Sequence, residues 1–456
     1  MKTEVWILGG GSAGYTCALQ CARKGLKTVL IENDTLGGTG LRWGCLPVKG
    51  LMDWIRLAKT ATDPGHGGIA GQNALPPDLA ASILSANRSA METVSRRMAE
   101  DLLQAGVEVI IGSPSLRNLH QCRIMDRIIE FQYLVLATGT ETMPLEGIIP
   151  DGCQILTHRN VVSLEVPPES LLILGGDVEG LEFASLFSEM GTRVTVLDMV
   201  PRFLEGLDED LKEPLFQRLE KNGVICRPGT RIVRGETLAQ GVRLTAADGT
   251  TYEGERVLLA MARRPVLPEG FDRLELALVR DRVPVDQNTC TRQPHIFCIG
   301  DLNGRMEMAH TAQQQGYFLA DYLATGVDVA WDYGPLPRAM FTLPQNGGAG
   351  LLEKELQAAG TPYRTAKVHW ADTWRGAGQA DVEGFLKVLS GEDGTLLGVW
   401  MTGWEISEQI GLLGLAIQRR LTLDELKRQL WVHPTRSEAL LQAILALENG
   451  KGGCRQ

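Results

Sequence analysis

The first 32 residues carry the pattern that most restricts how this chain folds. An apolar strand, Val5–Leu8, leads into the loop Gly9–Gly14, a helix predicted over Tyr15–Lys24 and a second strand over Thr28–Ile31, closed by Glu32. Glycines at the first, third and sixth loop positions allow a tight turn, close approach of a phosphate, and close packing of the helix on the strand. The pattern therefore predicts a Rossmann-type unit that binds a dinucleotide at the helix N-terminus.

A second unit of the same kind begins near Ser170. Its parts are the strand Leu171–Leu174, the loop Gly175–Gly180, the helix Leu181–Met190 and the strand Val194–Leu197, which ends at Asp198. Asp177 stands at the third loop position, where glycine is expected, and Glu179 stands where an apolar residue is usual. A carboxylate about 4 Å from a phosphate charge costs about 1 kcal/mol in water and about 4 at an effective dielectric of 20. The sequence therefore predicts a second dinucleotide fold in which nucleotide binding is weakened.

The composition narrows the class of function. The 456-residue chain has a net charge of −10 and no basic cluster, so nucleic acid is not an expected partner. None of the nine cysteines forms a Cys-x-x-Cys pair, so neither a metal site nor a disulfide framework is predicted. No apolar run approaches the roughly 20 residues that span a bilayer. Because the first strand starts almost at once, no signal peptide is expected, and the predicted location is cytoplasmic.

Residues 36–49, called the redox segment below, read Leu-Gly-Gly-Thr-Gly-Leu-Arg-Trp-Gly-Cys-Leu-Pro-Val-Lys. The segment resembles the active-site signature of the flavin-dependent pyridine nucleotide-disulfide oxidoreductases, closest to the dihydrolipoamide dehydrogenase branch. Two cysteines five positions apart form a disulfide in that family. Here Cys45 matches the second cysteine, and Gly40 stands in place of the first. The resemblance implies that Cys45 lies against the flavin ring and that the usual two-cysteine relay is missing.

Further motifs of the family follow in order along nearly the whole chain. They are Leu134–Gly139, Ala260–Pro265 (a strand), Ile296–Asp301, Met308–His310 and, from about Pro335, a dimerisation domain whose opening strand matches Phe341–Pro344 and Gly350. The resemblance implies an α/β fold with two Rossmann-type dinucleotide-binding domains, for FAD and NAD, and a C-terminal α+β dimerisation domain. The expected limits are 1–150 with 271–333 for FAD, 151–270 for the NAD-like domain and 334–456 for the interface.

The resemblance also implies the residues that hold the cofactors. For FAD they are Gly9, Gly11, Ser12, Ala13, Gly14, Glu32, Gly38, Thr39, Lys49, Ala137, Thr138, Gly139, Gly300, Asp301, Met308, Ala309 and His310. For NAD they are Gly175, Gly180 and Asp198, with NAD(H) binding doubtful because of Asp177 and Glu179. No metal is expected.

The catalytic residues that the resemblance implies come from three places in the chain. Cys45 is the redox thiol, and Lys49 lies near the flavin N5 and pairs with Glu182. The segment Trp431–Glu438 resembles the family's His-x-His-Pro-Thr-x-Ser-Glu, so His433 is the expected acid-base residue and Glu438 the carboxylate that orients it. In the family this pair enters the partner subunit's active site, which implies a homodimer.

These features predict an FAD-dependent oxidoreductase that acts on a thiol, disulfide or lipoyl-type substrate through Cys45 alone, by a mixed disulfide or a flavin–thiol adduct. The glycine at position 40 argues against ordinary NAD-linked lipoamide oxidation. Two alternatives remain open at this point. One is a flavoprotein that exchanges electrons with a protein partner instead of NAD(H), and the other is a non-catalytic FAD-binding scaffold subunit.

Overall fold

The computed structural model describes residues 2–62, 75–145, 147–328, 332–379, 382–450 and 453–455. The chain forms two compact units. Unit 1 comprises Met1–Leu51, Ala81–Val166 and Leu258–Trp331, and unit 2 comprises Met52–Ala80, Pro167–Val257 and Asp332–Gln456. None of the helices within the described ranges combines the length and the apolar character that a membrane crossing requires.

Strands and helices are mixed along the chain, with runs of consecutive strands over residues 108–156 and 225–298. In chain order the strands are β1 (Lys2–Leu8), β2 (Thr28–Glu32), β3 (Glu108–Ile111), β4 (Ser115–Asn118), β5 (Gln121–Ile124), β6 (Arg127–Leu136), β7 (Thr140–Thr142), β8 (Ile155–Leu156), β9 (Ser170–Leu174), β10 (Arg193–Leu197), β11 (Ile225–Arg227), β12 (Ile232–Leu238), β13 (Gly241–Ala246), β14 (Thr251–Gly254), β15 (Arg256–Leu259), β16 (Arg263–Pro265), β17 (Ile296–Cys298), β18 (Arg338–Met340), β19 (Gln345–Gly350), β20 (Tyr363–His369), β21 (Phe385–Ser390), β22 (Leu396–Gly403) and β23 (Gly453–Arg455). The helices are α1 (Ser12–Arg23), α2 (Cys45–Thr62), α3 (Pro77–Gln104), α4 (His158–Val161), α5 (Val178–Glu189), α6 (Glu209–Lys221), α7 (Ala309–Thr325), α8 (Glu353–Ala358), α9 (Trp374–Gln379), α10 (Ser407–Gln418), α11 (Leu423–Lys427) and α12 (Glu438–Glu448).

Unit 1 is built on a sheet whose central strands are parallel. The order is β3-β2-β1-β6, and β17 pairs in parallel with the end of β6. The strands β5 and β4 extend the sheet by antiparallel pairing with the start of β6. Both faces of the central strands are buried, as the continuous apolar run Val5–Leu8 requires. The first glycine loop therefore leaves the carboxyl end of a central strand, where ligands bind in sheets of this kind.

Unit 2 contains the second Rossmann-type segment and the C-terminal sheet. The strands β9, β10 and β11 are parallel, and β12, β13 and β14 form a small antiparallel sheet. The C-terminal sheet has the order β18-β19-β22-β21-β20-β23 and is antiparallel throughout. Within this unit Leu211 of α6 shares a buried cluster with Leu352, Phe385 and Trp400. The two parts of unit 2 thus have a common core.

The opening strand predicted over Phe341–Pro344 is wrong. These residues connect β18 to β19, because their polar backbone groups bond to other partners. The Phe341 amide donates to Glu182 Oε1 at 2.8 Å, the Leu343 amide donates to Ser185 Oγ at 2.9 Å, and Pro344 has no amide hydrogen to give to a neighbouring strand. The predicted strand Ala260–Pro265 is likewise only partly extended, since β16 begins at Arg263.

Candidate active site

The first glycine loop joins β1 to α1 and has the geometry of a phosphate-binding turn. Gly9 has φ +106°, and a Cβ added to Gly14 would lie 1.9 Å from the Gly9 carbonyl oxygen, so only glycine fits there. Gly11 is the N-cap of α1 and makes no side-chain cap. Among the residues that the structure describes, a Cβ at Gly11 would meet only Gly38 Cα, at 3.7 Å. The first amides of α1 therefore face a space that can hold an anion.

Glu32 closes this loop from the end of β2. Its Oε2 accepts a hydrogen bond from the Gly10 amide at 2.6 Å, and its Oε1 accepts one from the Asp34 amide at 2.9 Å. Each carboxylate oxygen has a second lone pair. The side chain is thus fixed beside the loop and can still accept a hydrogen bond from a ribose hydroxyl.

Other predicted FAD residues of unit 1 lie against the same loop. A Cβ at Gly9 would meet the Ala137 carbonyl oxygen at 2.4 Å and Thr138 Cα at 3.1 Å, and a Cβ at Gly300 would meet Ala13 Cβ at 3.2 Å. The strand ends that carry these residues therefore converge, as expected for the carboxyl edge of a parallel sheet.

The segment that follows β17 adds a buried polar network. The amide of Gly300 donates to Gln315 Oε1 at 2.7 Å, and Asn303 Nδ2 donates to the same oxygen at 2.9 Å. Burial raises the pKa of the Asp301 carboxyl, whereas the positive charge of Arg263 opposes that rise. No motif marks Gln315 or Asn303 as a member of the site, and Arg263 was visible only as part of the motif Ala260–Pro265.

The helix α7 supplies a second open N-terminus. Met308 is its N-cap, with no side-chain cap, and Ala309 and the exposed His310 are its first two residues. The two helix N-termini, the carboxylates Glu32 and Asp301 and the glycine loop together fit a dinucleotide with a pyrophosphate, which is the chemistry of FAD.

The redox segment runs between these helices. Thr39–Trp43 forms a single π-helical turn, closed by a 2.7 Å bond from the Gly44 amide to the Thr39 carbonyl oxygen. Cys45 is the first residue of α2 and its side chain is exposed, whereas Val48 on the same helix is buried. Lys49, half-buried, lies one turn after Cys45 and so shares its face of the helix.

Gly40 is held close to both helix N-termini. A Cβ added there would stand 2.9 Å from Ser12 Oγ and 3.3 Å from Ala309 Cβ. Both distances are tighter than ordinary carbon contacts. The absence of a side chain at position 40 is therefore matched by the packing around it.

The second glycine loop repeats the backbone of the first. Gly175 has φ +120°, and a Cβ at Gly180 would lie 1.9 Å from the Gly175 carbonyl oxygen. The amide of Gly176 donates to Asp198 Oδ2 at 2.7 Å, just as Gly10 donates to Glu32 in unit 1. Asp177 is the N-cap of α5, at φ −95° and ψ −171°, makes no side-chain cap and is exposed. Its carboxylate therefore stands at the point where the first loop leaves open space.

Glu182 and the His433–Glu438 pair both belong to unit 2. Glu182 is buried on α5, and its Oε1 accepts a hydrogen bond from the Phe341 amide. Lys49 belongs to unit 1, and its pairing with Glu182 stays a prediction. His433 Nδ1 lies 2.9 Å from Glu438 Oε1, and the Thr435 amide donates to Glu438 Oε2 at 2.7 Å. The Thr435 amide and then His433 lower the pKa of Glu438 below 4.5. The histidine side chain is 60% exposed and is held by an ionised carboxylate.

One buried histidine was not foreseen. His158, the first residue of α4, has its Nδ1 3.1 Å from Thr142 Oγ1, and burial, together with the charges of Arg263 and Arg159, lowers its pKa to about 3. The imidazole is therefore neutral at physiological pH. A lone histidine with no motif around it gives no sequence signal for such a role.

Comparison with known proteins identifies the family. Residues 3–316 match the model of the pyridine nucleotide-disulphide oxidoreductases, and residues 336–444 match the dimerisation domain of that family. Dihydrolipoamide dehydrogenase of Chaetomium thermophilum is 31% identical over 97% of this chain and 90% of its own, and dihydrolipoyl dehydrogenase 2 of Haloarcula marismortui is 30% identical over 97% and 96%.

Solved structures agree with this assignment. LpdA of Mycobacterium tuberculosis superimposes with a TM-score of 0.89 at 27% identity, covering 98% of this chain and 99% of its own. The flavoprotein disulfide reductase RclA of Escherichia coli, at 23% identity and a TM-score of 0.86 over 97% of this chain and 99% of its own, shares the fold. The predicted α/β fold class is confirmed, and the dimerisation domain supports the predicted homodimer. This chain therefore belongs to the pyridine nucleotide-disulphide oxidoreductase family and is an FAD-dependent oxidoreductase.

Proposed function

We propose that this enzyme acts on a small thiol or disulfide through the single cysteine Cys45, and that it is not a standard lipoamide dehydrogenase. The observation that carries the proposal is the redox segment itself. Cys45 is exposed at the first residue of α2, while Gly40, five positions earlier, has no thiol and is packed against Ser12 and Ala309. Bound FAD supplies two-electron redox chemistry to the thiol or disulfide that Cys45 engages.

The position of Cys45 suits a nucleophilic thiolate. The N-terminus of α2 carries a partial positive charge, which stabilises an anion on its first residue. The thiolate attacks one sulfur of a substrate disulfide, so that a Cys45–substrate S–S bond forms while the substrate S–S bond breaks. The departing sulfur leaves as a thiolate and needs a proton.

His433 is the proposed source of that proton. The contact of its Nδ1 with Glu438 Oε1 fixes the orientation of the ring, and the ionised carboxylate stabilises the imidazolium before the proton is given up. By the resemblance described above, the pair works in the partner subunit's site, so that the proposed reaction requires the dimer.

Asp177 favours a second candidate function, in which the electrons come from a protein partner and not from NADH. Its exposed carboxylate caps α5, where a nucleotide pyrophosphate would approach the helix N-terminus. The like charges repel each other, and Glu179 adds a second carboxylate in the first turn of the same helix. Weak NADH binding would separate this enzyme from relatives that use the nucleotide.

A third candidate, the non-catalytic scaffold, is separated from the others by a single-turnover measurement. The purified FAD-containing dimer is reduced anaerobically with dithionite and mixed with the disulfide lipoamide. The visible absorption of the flavin is followed in the parent protein, in Cys45→Ser and in His433→Gln. Cys153→Ser is the matched control, because Cys153 is also exposed but lies outside the redox segment.

The proposal expects rapid reoxidation in the parent protein and in Cys153→Ser. It expects no disulfide-dependent reoxidation in Cys45→Ser, and a loss of about 10²–10⁴-fold in His433→Gln, the range typical of general acid–base catalysis. Equal rates in Cys45→Ser and the parent protein would remove Cys45 from the reaction. Bound flavin that no disulfide reoxidises in any of the proteins would favour the scaffold.

A further inference from the structure

Several side chains contact the redox segment, among them Ser95 at Leu36 and Arg42 and Asn87 at Pro47, and two further contacts lie at the two ends of the π-helical turn. At the first, Arg263 Nη2 donates to Thr39 Oγ1 at 3.3 Å. At the last, the guanidinium of Arg159 lies 4.2 Å from the centre of the Trp43 ring, within the range of a cation–π interaction. The four residues in these two contacts all belong to unit 1.

Arg263 is itself fixed on a two-stranded ribbon. The strands β7 and β16 are antiparallel, with Arg263 opposite Thr142. The guanidinium donates through Nε to Thr140 Oγ1 at 2.9 Å and through Nη2 to the Thr140 carbonyl oxygen at 2.8 Å. The donor that reaches Thr39 therefore comes from a side chain with little freedom left, which lowers the entropy cost of the contact.

Arg159 is placed by the short helix α4. A capping box between Thr157 and Asn160 fixes the helix start, and the buried His158 contacts Thr142 on the same ribbon. Arg159 is the next residue and extends over Trp43. An ion pair of 3.6 Å with Asp34 adds a second, exposed contact to the guanidinium.

We propose that Arg263 and Arg159 are positioning residues that brace the redox segment and fix the start of α2, and with it Cys45. The brace takes the place of the disulfide that the resemblance puts between positions 40 and 45. This inference rests on the proposed function of Cys45. A covalent link between these positions would open and close with the redox state, whereas the brace has no redox-sensitive bond. It therefore holds the segment in the same way whether the enzyme is oxidised or reduced.

The test measures hydrogen exchange at the amides of residues 40–44 in the FAD-containing dimer. Arg159→Met removes the cation over Trp43, Thr39→Val removes the acceptor of Arg263, and the double variant removes both. Arg264→Met is the matched control, because Arg264 is the neighbour of Arg263, is half-exposed and pairs with Glu141 away from the segment. Arg159→Lys keeps the charge but not the planar guanidinium.

We expect exchange to speed up about threefold in Arg159→Met and about tenfold in the double variant, with partial rescue in Arg159→Lys. The pH profile of the alkylation of Cys45 by iodoacetamide should change in the same variants, with Tm within about 2 °C of the parent protein. Arg159→Met is the variant farther from the cofactor residues, and unchanged exchange in it would overturn the proposal. An acceleration of exchange in Arg264→Met equal to that in Arg159→Met would overturn it as well. Because exchange is measured without turnover and also in Cys45→Ser, the brace can be supported even if the proposed reaction fails.

Discussion

Replacing Asp177 with glycine is expected to tighten the binding of NAD⁺. The backbone of Asp177, at φ −95° and ψ −171°, closely matches that of Gly11 in the first loop, at φ −72° and ψ −172°, so the substitution requires no rearrangement. The carboxylate makes no cap bond, and its loss should cost α5 only a few tenths of a kcal/mol. The expected gain comes from the removal of one negative charge.

The size of the gain follows from the exposure of Asp177. Because the side chain is in water, the high-dielectric limit applies, and one phosphate charge about 4 Å away costs about 1 kcal/mol. A second phosphate charge at about 7 Å adds about 0.6 kcal/mol. The sum corresponds to about a 15-fold change in Kd at low salt. At 1 M salt the screening length falls to about 3 Å, and the difference should shrink to less than about twofold.

Isothermal titration of the FAD-containing dimer with NAD⁺, at low salt and at 1 M salt, measures this difference without reducing the flavin. Asp177→Asn is the matched control, because it removes the charge and keeps the shape of the side chain. Both variants should gain most of the 15-fold factor if charge is the cause. A gain confined to Asp177→Gly would instead indicate a steric obstacle. No gain in either variant, or a gain that salt does not reduce, would refute the electrostatic argument.

Three further substitutions test the charge networks of unit 2. Lys387→Met should lower the free energy of unfolding by about 3 kcal/mol or more, because the buried ammonium donates to two aspartates and a glutamate, which would remain without their cation. Lys367→Met is the control and should cost about 1 kcal/mol or less, because the Lys367 side chain is 34% exposed. Burial raises the pKa of Asp210, but the hydrogen bonds and charges of both lysines outweigh burial and hold the pKa below 3.8. The stabilisation by this ion pair is therefore present above about pH 4 and is lost in acid. Urea unfolding at pH 7 and pH 3 measures this stabilisation, and equal losses of stability for the two variants would contradict the argument. Glu438→Gln should slow the disulfide-dependent reoxidation about 10–100-fold at pH 7, where Glu438 is ionised because its pKa lies below 4.5; equal rates for the variant and the parent protein in single-turnover records would contradict the orienting role.

Local patterns in the sequence were enough to predict both Rossmann-type segments. A strand, a glycine loop and an acid about 20 positions later lie within one supersecondary unit, and their geometry follows from backbone sterics. The bonds Gly10–Glu32 and Gly176–Asp198 each join residues 22 positions apart. The strand predicted over Phe341–Pro344 was wrong because two amides of this segment donate hydrogen bonds to side chains of α5, about 158 positions earlier. No periodicity in the segment itself carries that information.

The contacts of the brace and of the buried Lys387 could not be predicted from the sequence, and the reason is the same for both. Arg263 reaches Thr39 across 224 positions, and Lys387 reaches Asp208 across 179. Arg263 was visible as part of the motif Ala260–Pro265, but its partner, like the partners of Lys387, is chosen by the tertiary fold. A lysine in a strand is usually solvated, and only the three carboxylates around it explain why this one is buried.

Because the strand–glycine loop–helix unit occurs twice in this chain, the two loops can be compared position by position. Both loops have a left-handed first glycine, the same 1.9 Å approach at the last glycine, and the same bond from the second glycine to the closing acid. Backbone geometry therefore cannot account for a difference in what the two loops bind. The loops differ in charge at the third position, where Gly11 leaves a helix N-terminus open and Asp177 places a carboxylate at it, and at the fifth, where Glu179 stands in place of alanine. The sequence locates both positions, but the strength of the repulsion by Asp177 depends on how far water screens it, which only the exposure of Asp177 in the fold determines.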